Sequence, residues 1–436
     1  MPLPNAIPPA ADEDFVHLVV TDAKGDLFVH PQLRMAASDG QNVRPVRLSE
    51  CVPVPEGSDF YSMPGRIPLG WDDDEQGPVA VDETPDGADA LPLSVFLAPA
   101  WTRLCHPATF LEEEAPSLPL YAYSAVGVAP DGTPVSLAVR VDPDQRQDPP
   151  LFDMNEVKST VDQRLKELPE NKLVKHVSHC ALVYNCRAAQ NYFLSRWEAP
   201  IPISRKCNSK CLGCISLQKD SNKIASHDRI GFSLQPSQVA ELTLDHISKV
   251  ENAVVSFGQG CEGEPLLYAK TAADALRIVR EQTSDGTLHL NSNASKPEGL
   301  KQLVAEGLDS LRVSLNSARS EVYDRYYRPT DYSFDDVQRS IEIASENGLF
   351  VSLNLLVFPG VTDTEEEYQA LLDLHRKAPF NMIQWRNLNV DPDEYLEKLD
   401  DLPFSDAMGM DVLMEKLETE IPGLKRGYYN PCKADF

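Results

Sequence analysis

From Tyr192 onward, the chain alternates short apolar runs with longer stretches in which apolar residues recur every three or four positions. Apolar runs of strand length predict buried β-strands, and the longer amphipathic stretches predict α-helices packed against them. A regular alternation of the two is typical of an α/β fold with a parallel sheet. The six predicted strands are residues 199–204, 253–258, 287–291, 310–315, 350–358 and 381–388.

Helices fit between these strands. Gln235-Pro236 marks the start of the first helix, because proline is favoured at the first helical position. Gly307 and Gly348 stand where two later helices end, a position at which glycine is common. The predicted helices are residues 237–250, 268–282, 297–306, 334–347 and 364–376.

The first 150 residues follow a different pattern, with many prolines and glycines and with short alternating segments such as 15–21 and 121–126. This pattern predicts short strands joined by turns. The acidic stretch 71–91 lacks apolar periodicity and predicts a solvated loop or a partly disordered segment. The expected organisation is an N-terminal β-rich domain (1–150), a connecting segment of helix and strand (151–191) with a helix at 157–168, the α/β core (192–390), and a C-terminal helix and tail (391–436).

Charge and hydropathy narrow the range of functions. The 436 residues carry a formal net charge of −27, which disfavours nucleic acid as a partner because proteins that bind it usually present a basic surface. The longest apolar stretch, residues 91–101, is too short to cross a bilayer, and no basic segment followed by an apolar one opens the chain. We therefore expect a soluble cytoplasmic protein with no membrane partner.

Three of the nine cysteines, Cys207, Cys211 and Cys214, form a Cys-x3-Cys-x2-Cys run directly after the first predicted strand. Clustered thiols in a reducing compartment favour metal binding over disulfides. A [4Fe-4S] cluster normally takes four cysteine ligands, so three cysteines would leave one iron open. A zinc site would need a fourth protein ligand, which His227 or Cys432 could supply.

This cysteine spacing resembles the signature of the radical S-adenosylmethionine (radical SAM) superfamily. The resemblance implies a [4Fe-4S] cluster whose open iron binds the amino and carboxylate groups of SAM. It also implies a partial (β/α)6 barrel in which the cluster loop follows the first strand, and six successive strand and helix units are similar to that fold. In barrels of this type, functional residues gather at the C-terminal ends of the strands.

The strand ends contain further residues similar to the family's SAM site. After the second strand, Gly263 and Glu264 match part of the family's Gly-Gly-Glu-Pro element, with Glu262 in place of its first glycine. The resemblance implies that this turn holds the SAM amino group through a carbonyl and a carboxylate. Ser314 and Asn316 share one face of the fourth strand. The further cofactor contacts that the resemblance implies are Asn291, Asn293, Ser314 and Asn316.

Other residues are candidates for substrate chemistry. Gln384 and Arg386 share a face of the sixth strand, where Arg386 could bind a carboxylate or phosphate or form a structural ion pair. Cys261 and Cys432 are candidates for returning a hydrogen atom to the substrate, although most buried cysteines are small core residues. The residue before the third cysteine, often aromatic in the family, is Gly213 here.

The resemblance implies that an electron from an external donor, such as flavodoxin or ferredoxin, cleaves SAM to methionine and a 5′-deoxyadenosyl radical. That radical would abstract hydrogen from a substrate, which the protein binds and shields from water. We expect the substrate to be a small molecule or a peptide. An RNA-modifying member of the family and a non-enzymatic zinc protein are the alternatives.

Overall fold

The computed structural model describes residues 13–218 and 225–436, which divide into two compact units. The first unit runs to Asp144 and includes two later segments, and the second begins at Gln145. The predicted boundary at residue 150 lies close to this division. The sequence pattern did not predict that two later segments belong to the first unit. These are Val357–Gln369 and Trp385–Glu420, which leave Gln145–Leu356, Ala370–Gln384 and Ile421–Phe436 in the second unit.

The first unit is mostly antiparallel β-structure, as predicted for the N-terminal region. Its strands are β1 (His17–Thr21), β2 (Leu27–Ser38), β3 (Val43–Pro45), β4 (Val52–Pro53), β5 (Asp59–Ser62), β6 (Arg66–Asp72), β7 (Gly77–Ala80), β8 (Leu91–Phe96), β9 (Trp101–Arg103), β10 (His106–Pro107), β11 (Thr109–Leu111), β12 (Val126–Val128), β13 (Pro134–Ser136) and β14 (Ala138–Arg140). Strand β1 is buried along its whole length because it pairs with β2, β8 and β12. Val19, Val95 and Val126 from three of these strands pack in one apolar cluster.

Part of the acidic stretch 71–91 forms a hairpin, so the prediction of a solvated loop is wrong there. Strand β7 pairs with β6, with Gly70 opposite Val79 and Trp71 opposite Pro78. Residues of β7 alternate between half-buried and exposed, and Val79 packs against a buried cluster that includes Leu18 and Leu33. Backbone pairing and one inward-facing valine therefore order a segment whose composition suggests a loop.

Three helices open the second unit: α1 (Met154–Glu167), α2 (Lys172–Leu182) and α3 (Arg187–Phe193). Helix α1 covers most of the predicted helix at 157–168, whereas α2 and α3 were not predicted. The side chain of Asn171 starts α2 by accepting hydrogen bonds from the N–H groups of Leu173 and Val174. Helix α2 buries one face through Val174, Val177 and Ala181.

The core of the second unit is a sheet of seven strands in chain order. They are β15 (Glu198–Ile201), β16 (Val254–Phe257), β17 (Thr287–Ser292), β18 (Ser310–Leu315), β19 (Phe350–Val357), β20 (Met382–Asn387) and β21 (Lys425–Gly427). Pairing is parallel from β15 to β19 and between β20 and β21. Strands β15 to β20 lie where six strands were predicted, which confirms the α/β class with a parallel sheet.

The helices around this sheet agree with the predicted ones, with one addition. They are α4 (Pro236–Ile247), α5 (Ala269–Arg280), α6 (Pro297–Ala305), α7 (Ser320–Tyr327), α8 (Phe334–Glu346) and α9 (Glu365–Lys377). Helix α7 was not predicted. Within 391–436, where a C-terminal helix was expected, the first unit has two short helices, α10 (Pro392–Glu397) and α11 (Met410–Glu420). Within residues 13–218 and 225–436, no helix has the length and apolar character needed to cross a membrane.

The chain after β21 covers the amino ends of the strands. The N–H of Lys433 donates to Oγ1 of Thr287, the first residue of β17, at 2.8 Å. The ring of Phe436 stacks on that of Phe350, the first residue of β19, with centroids 4.7 Å apart. The tail thus lies at the edge opposite to the carboxyl ends where the candidate site is predicted.

The first unit contains a buried ion pair between Arg66 of β6 and Asp391, which caps α10. Both side chains are almost fully buried, and Nη2 of Arg66 lies 2.9 Å from Oδ2 of Asp391. The same carboxylate accepts a hydrogen bond from the N–H of Leu118 at 2.7 Å. Nε of Arg66 contacts Asp393 at 3.0 Å. Removing the Asp391 charge would leave a buried guanidinium short of its main partner.

We predict that Asp391→Asn lowers the free energy of unfolding by about 3 kcal/mol, because breaking one side of a buried pair is strongly destabilising. Urea unfolding, followed by circular dichroism, measures the change. The control is Asp373→Asn, which breaks the exposed pair with Arg376 and should change the free energy of unfolding by less than about 1 kcal/mol. Equal effects of the two substitutions would contradict the role given to Asp391.

Candidate functional site

The loop after β15 brings the three clustered cysteines to the carboxyl edge of the parallel sheet. Cys207, Cys211 and Cys214 are each half-buried. Burial raises the pKa of Cys207 to about 11, and burial together with the other two sulfurs raises the pKa of Cys211 well above its usual value. The three thiols thus influence one another electrostatically, and they must lose protons when they bind a metal.

The turn that follows β16, residues 258–264, is called the glycine turn. It binds the start of the cysteine loop, residues 203–214. The N–H of Gly263 donates to the carbonyl of Ser204 at 2.9 Å, and the N–H of Glu264 donates to the carbonyl of Lys206 at 2.8 Å. A Cβ atom built at position 263 would overlap the carbonyl group of Lys206. Glycine is therefore required at 263 by the close approach of the two backbones.

Glu262, which stands where the family element has glycine, fastens the same two segments from inside. Its Oε2 accepts hydrogen bonds from the N–H groups of Ile203 and Ser204, both at 2.9 Å. Its Oε1 accepts from the N–H groups of Gly258 at 2.6 Å and Gln259 at 2.9 Å. Burial raises the pKa of Glu262 to about 7, although the four N–H donors favour the ionised form. The carboxylate thus ties the cysteine loop to the glycine turn.

Glu264, predicted to contact the SAM amino group, binds the end of β17 in the structure. Its Oε1 accepts from the hydroxyl of Ser292 at 2.6 Å and from the N–H of Leu266 at 2.9 Å. Its Oε2 accepts from the N–H of Asn293 at 2.8 Å. Burial raises the pKa of this carboxyl to about 7. Glu264 is thus already held by three protein donors at the carboxyl edge.

The two predicted asparagines at the end of β17 are both buried and have different partners. Nδ2 of Asn293 donates to Oδ1 of Asn208 at 3.0 Å and to the hydroxyl of Ser209 at 2.9 Å. Asn293 therefore positions the cysteine loop between Cys207 and Cys211. Nδ2 of Asn291 donates to the carbonyl of Phe257 at 2.6 Å and links β17 to β16.

Strand β18 presents the predicted polar face. Arg312 and Ser314 are half-buried, and they alternate with fully buried leucine and valine residues. Burial raises the pKa of Tyr327, whose phenol lies beside Ser314, well above its usual value. Asn316 is buried just past the strand, and its Nδ2 donates to the carbonyl of Val322 in α7 at 3.3 Å.

A cluster of three tyrosine side chains, Tyr323, Tyr327 and Tyr332, lies beside the cysteine loop and was not predicted from the sequence. Tyr323 and Tyr327 of α7 stack with ring centroids 4.4 Å apart. The hydroxyl of Tyr332 lies 2.7 Å from that of Ser209 and 2.9 Å from that of Tyr323. The charge of Cys211 raises the pKa of all three tyrosines, though burial raises it more. Tyr323 and Tyr327 are four residues apart, a spacing that places two side chains on one face of a helix. The sequence pattern could have indicated this cluster only if helix α7 had been predicted.

The backbone of this helix also holds the loop. The N–H of Lys210 donates to the carbonyl of Tyr327 at 3.0 Å, and the N–H of Leu212 donates to the carbonyl of Tyr326 at 3.1 Å. These bonds fix the chain on both sides of Cys211 and use carbonyls at the end of α7, which have no partner inside the helix.

Arg229 supplies a positive charge that sequence reasoning also missed. Its Nη2 lies 4.0 Å from Sγ of Cys214, and its Nε donates to the hydroxyl of Ser216 at 2.8 Å. Arg229 also lowers the pKa of Cys207, against the larger effect of burial. A cation at this place favours the thiolate form that a metal requires.

The two predicted substrate residues of β20 fall in different units. Gln384 is buried in the second unit, where its Oε1 accepts from Nη1 of Arg312 at 3.0 Å and its Nε2 donates to Oδ1 of Asn430 at 3.0 Å. Arg386 is half-buried and belongs to the first unit. The structure thus joins Gln384 to the polar face of β18.

Cys261 and Cys432, the candidate hydrogen donors, lie apart from each other. Cys261 is buried in the glycine turn, close to Cys180 and His176. Sγ of Cys432 donates to a carboxylate oxygen of Asp435 at 3.1 Å, in the tail at the amino edge of the sheet. The structure therefore does not bring Cys432 to the cysteine loop, either as a hydrogen donor or as a fourth zinc ligand.

Comparison with known proteins agrees with this arrangement. The profile of the radical SAM superfamily matches residues 201–374, which begin at the end of β15 and include the cysteine loop and the glycine turn. Residues 201–374 thus form a radical SAM domain. Members of this superfamily are enzymes that typically use an iron-sulfur cluster and SAM.

Individual relatives are distant. The chain is 24% identical to the FeMo cofactor biosynthesis protein NifB of Azotobacter vinelandii, over 47% of this chain and 42% of that protein. It is 25% identical to a probable GTP 3′,8-cyclase of Methanosarcina acetivorans, over 51% of this chain and 62% of that protein. The crystal structure of methylornithine synthase (PylB) covers 63% of this chain and 74% of its own, with 16% identity and a TM-score of 0.36. The chain thus spans about half the length of the curated relatives it matches.

We predict that Gly263→Ala weakens iron binding by about 10-fold to 100-fold, the range found when a group that orients metal ligands is lost. The added methyl would push the carbonyl of Lys206 and, with it, Cys207. Iron and sulfide analysis after anaerobic reconstitution measures the effect. The matched control is Gly231→Ala, since a Cβ at that position meets no atom within 4 Å. Full iron loading of Gly263→Ala would refute the requirement for glycine.

Glu262→Gln is expected to lower the free energy of unfolding of the cluster-free protein by about 1 to 3 kcal/mol. The amide nitrogen of glutamine cannot accept the hydrogen bonds that one carboxylate oxygen now receives, so two buried N–H groups lose their acceptor. Urea unfolding measures the change, with the exposed Glu251→Gln as the control that should have little effect. If the Glu262→Gln protein is as stable as the control, the Glu262 carboxylate does not hold the two segments together as described.

Proposed function

We propose that this chain binds a [4Fe-4S] cluster through Cys207, Cys211 and Cys214 and uses it to cleave SAM reductively. The observation that carries the proposal is the way in which three neighbouring strand ends hold the cysteine loop. Gly263 and Glu262 hold its start, Asn293 holds its middle, and the end of α7 holds both sides of Cys211. A loop fixed this firmly before metal binding is preorganised for a cluster of defined geometry.

The residues of the loop fit such a cluster. Its donors are three thiols from one short segment, which suits an iron-sulfur cluster with one iron open to another ligand. Arg229 beside Cys214 offsets part of the negative charge of the thiolates. When bound, the cluster and SAM would supply a 5′-deoxyadenosyl radical for hydrogen abstraction. An external reductant, such as flavodoxin or ferredoxin, would supply the electron.

We infer that the glycine turn and β18 bind SAM. At the turn, the proposed acceptors for the SAM amino group are the carbonyl of Gly263 and Oε2 of Glu264, which keeps a second lone pair beside its bond to Asn293. At β18, the half-buried hydroxyl of Ser314 is the proposed contact of the polar part of SAM, with Asn316 next to it. Asn291 and Asn293 then act by positioning, because their amides bind the neighbouring strand and the cysteine loop.

The proposed substrate is a small molecule or a peptide with polar or anionic groups. The inner face of the second unit carries a connected set of polar side chains. Asn430 donates to Glu198 at 2.8 Å and accepts from Gln384 at 3.0 Å, and Gln384 in turn accepts from Arg312. A guanidinium held in this way can bind a carboxylate or phosphate in a fixed orientation. The net charge of −27 makes nucleic acid the less favoured substrate.

The test replaces Cys207, Cys211 and Cys214 together with alanine. We expect the variant to lose its iron and to form no 5′-deoxyadenosine from SAM under strong chemical reduction, because each cysteine is a proposed ligand. The matched control is Cys51→Ala, a half-buried cysteine of the first unit, which should keep both properties. Formation of 5′-deoxyadenosine by the triple variant, or its absence in a fully iron-loaded parent protein, would refute the proposal.

A further inference from the structure

A second group of metal-ligating side chains lies in the second unit, separate from the cysteine loop. It comprises His176 and Cys180 of α2 and Cys261 of the glycine turn, whose ligand atoms all lie within 4.8 Å of one another. Cys180 and Cys261 are buried, with exposures of 2% and 4%, and His176 is half-buried. Residues four apart on a helix share one face, so α2 directs His176 and Cys180 to the same point.

The spacing of these atoms suits a tetrahedral metal ion. Zinc binds sulfur at about 2.3 Å and imidazole nitrogen at about 2.0 Å, so two donors on one zinc lie about 3.6 Å apart. Sγ of Cys180 lies 3.7 Å from Nε2 of His176. The measured separation thus requires almost no movement of these two side chains.

Two further donors stand next to the group. Cys186, at the start of α3, donates its backbone N–H to the carbonyl of Cys180 at 3.0 Å, and its charge acts on Cys261. The imidazole of His227 interacts electrostatically with Cys180, and its Nδ1 lies 3.7 Å from the point where a Cβ of Gly260 would be. The ligand atoms of both residues lie outside the 4.8 Å group, so either one would complete the four protein ligands of a structural zinc site after a movement of its side chain.

We propose that His176, Cys180 and Cys261 bind a zinc ion, with Cys186 or His227 as the fourth ligand. Two thiolates and imidazole form a donor set that suits zinc in a closed site. A divalent ion would neutralise the two thiolate charges, which matters in a buried place.

Such a zinc ion would tie α2 to the glycine turn. Cys261 immediately precedes Glu262, whose carboxylate fastens the start of the cysteine loop. The metal would therefore reinforce the turn, and Cys261 would be a structural ligand and not a hydrogen donor. This inference does not depend on the proposed function, because a structural zinc site needs no SAM.

The test measures the zinc and iron content of the 436-residue chain by inductively coupled plasma mass spectrometry. In the triple variant with Cys207, Cys211 and Cys214 replaced by alanine, we expect about one zinc ion per chain and no iron. Adding Cys180→Ser or Cys261→Ser should remove the zinc, whereas adding Cys51→Ser should leave it. A triple variant without zinc, or zinc that persists after Cys180→Ser and Cys261→Ser together, would overturn the proposal.

A second measurement leaves the proposed zinc ligands unchanged. It therefore tests the proposal even if the serine variants fold poorly. Co²⁺ added to the metal-free triple variant should give the visible absorption of tetrahedral cobalt bound to thiolates, and Zn²⁺ should abolish it. Absence of that absorption would overturn the proposal. So would a disulfide between Cys180 and Cys261 that forms as readily with Zn²⁺ as without it, since a bound metal protects its thiolates from oxidation.

Discussion

The close contact between the glycine turn and the start of the cysteine loop is the constraint on which the rest of the site depends. Two backbone segments meet where the N–H of Gly263 reaches the carbonyl of Ser204, with no room for a side chain between them. Glu262 then accepts hydrogen bonds from four N–H groups of both segments with one carboxylate, and the N–H groups of Ile203 and Ser204 are buried. Unpaired N–H groups at this depth would each be costly, so the carboxylate holds the two segments together.

Further contacts hold the middle of the cysteine loop. Asn293 binds Asn208 and Ser209, and the hydroxyl of Tyr332 binds Ser209 from the other side. Three unlike segments, the end of β17, helix α7 and the chain after it, thus meet at residues between the first two cysteines. The loop gains its order mainly from the sheet and α7, and the thiol of Cys214 adds one hydrogen bond to the carbonyl of Ser216 at 3.4 Å. Arg229 adds a favourable field beside Cys214.

Much of this arrangement follows from local sequence patterns. Strands β15 to β20 are predictable because each is a short apolar run bounded by turn residues, and Cys207, Cys211 and Cys214 are recognisable by spacing alone. The bonds that join Asn293 and Glu262 to the cysteine loop are not predictable, because their partners there lie far away in the chain and depend on the register of the sheet. The short strand β21 and helix α7 carry weak local signals. The group formed by His176, Cys180 and Cys261 is visible only after α2 packs beside the glycine turn.

The central claim is that three cysteines hold a cluster with one iron open to SAM. Electron paramagnetic resonance of the anaerobically reduced protein, recorded with and without SAM, tests it most directly. We expect the signal of a reduced [4Fe-4S] cluster whose shape changes when SAM is added, because the open iron gains ligands. A cluster signal that SAM leaves unchanged, or zinc in place of iron at Cys207, Cys211 and Cys214, would contradict the claim.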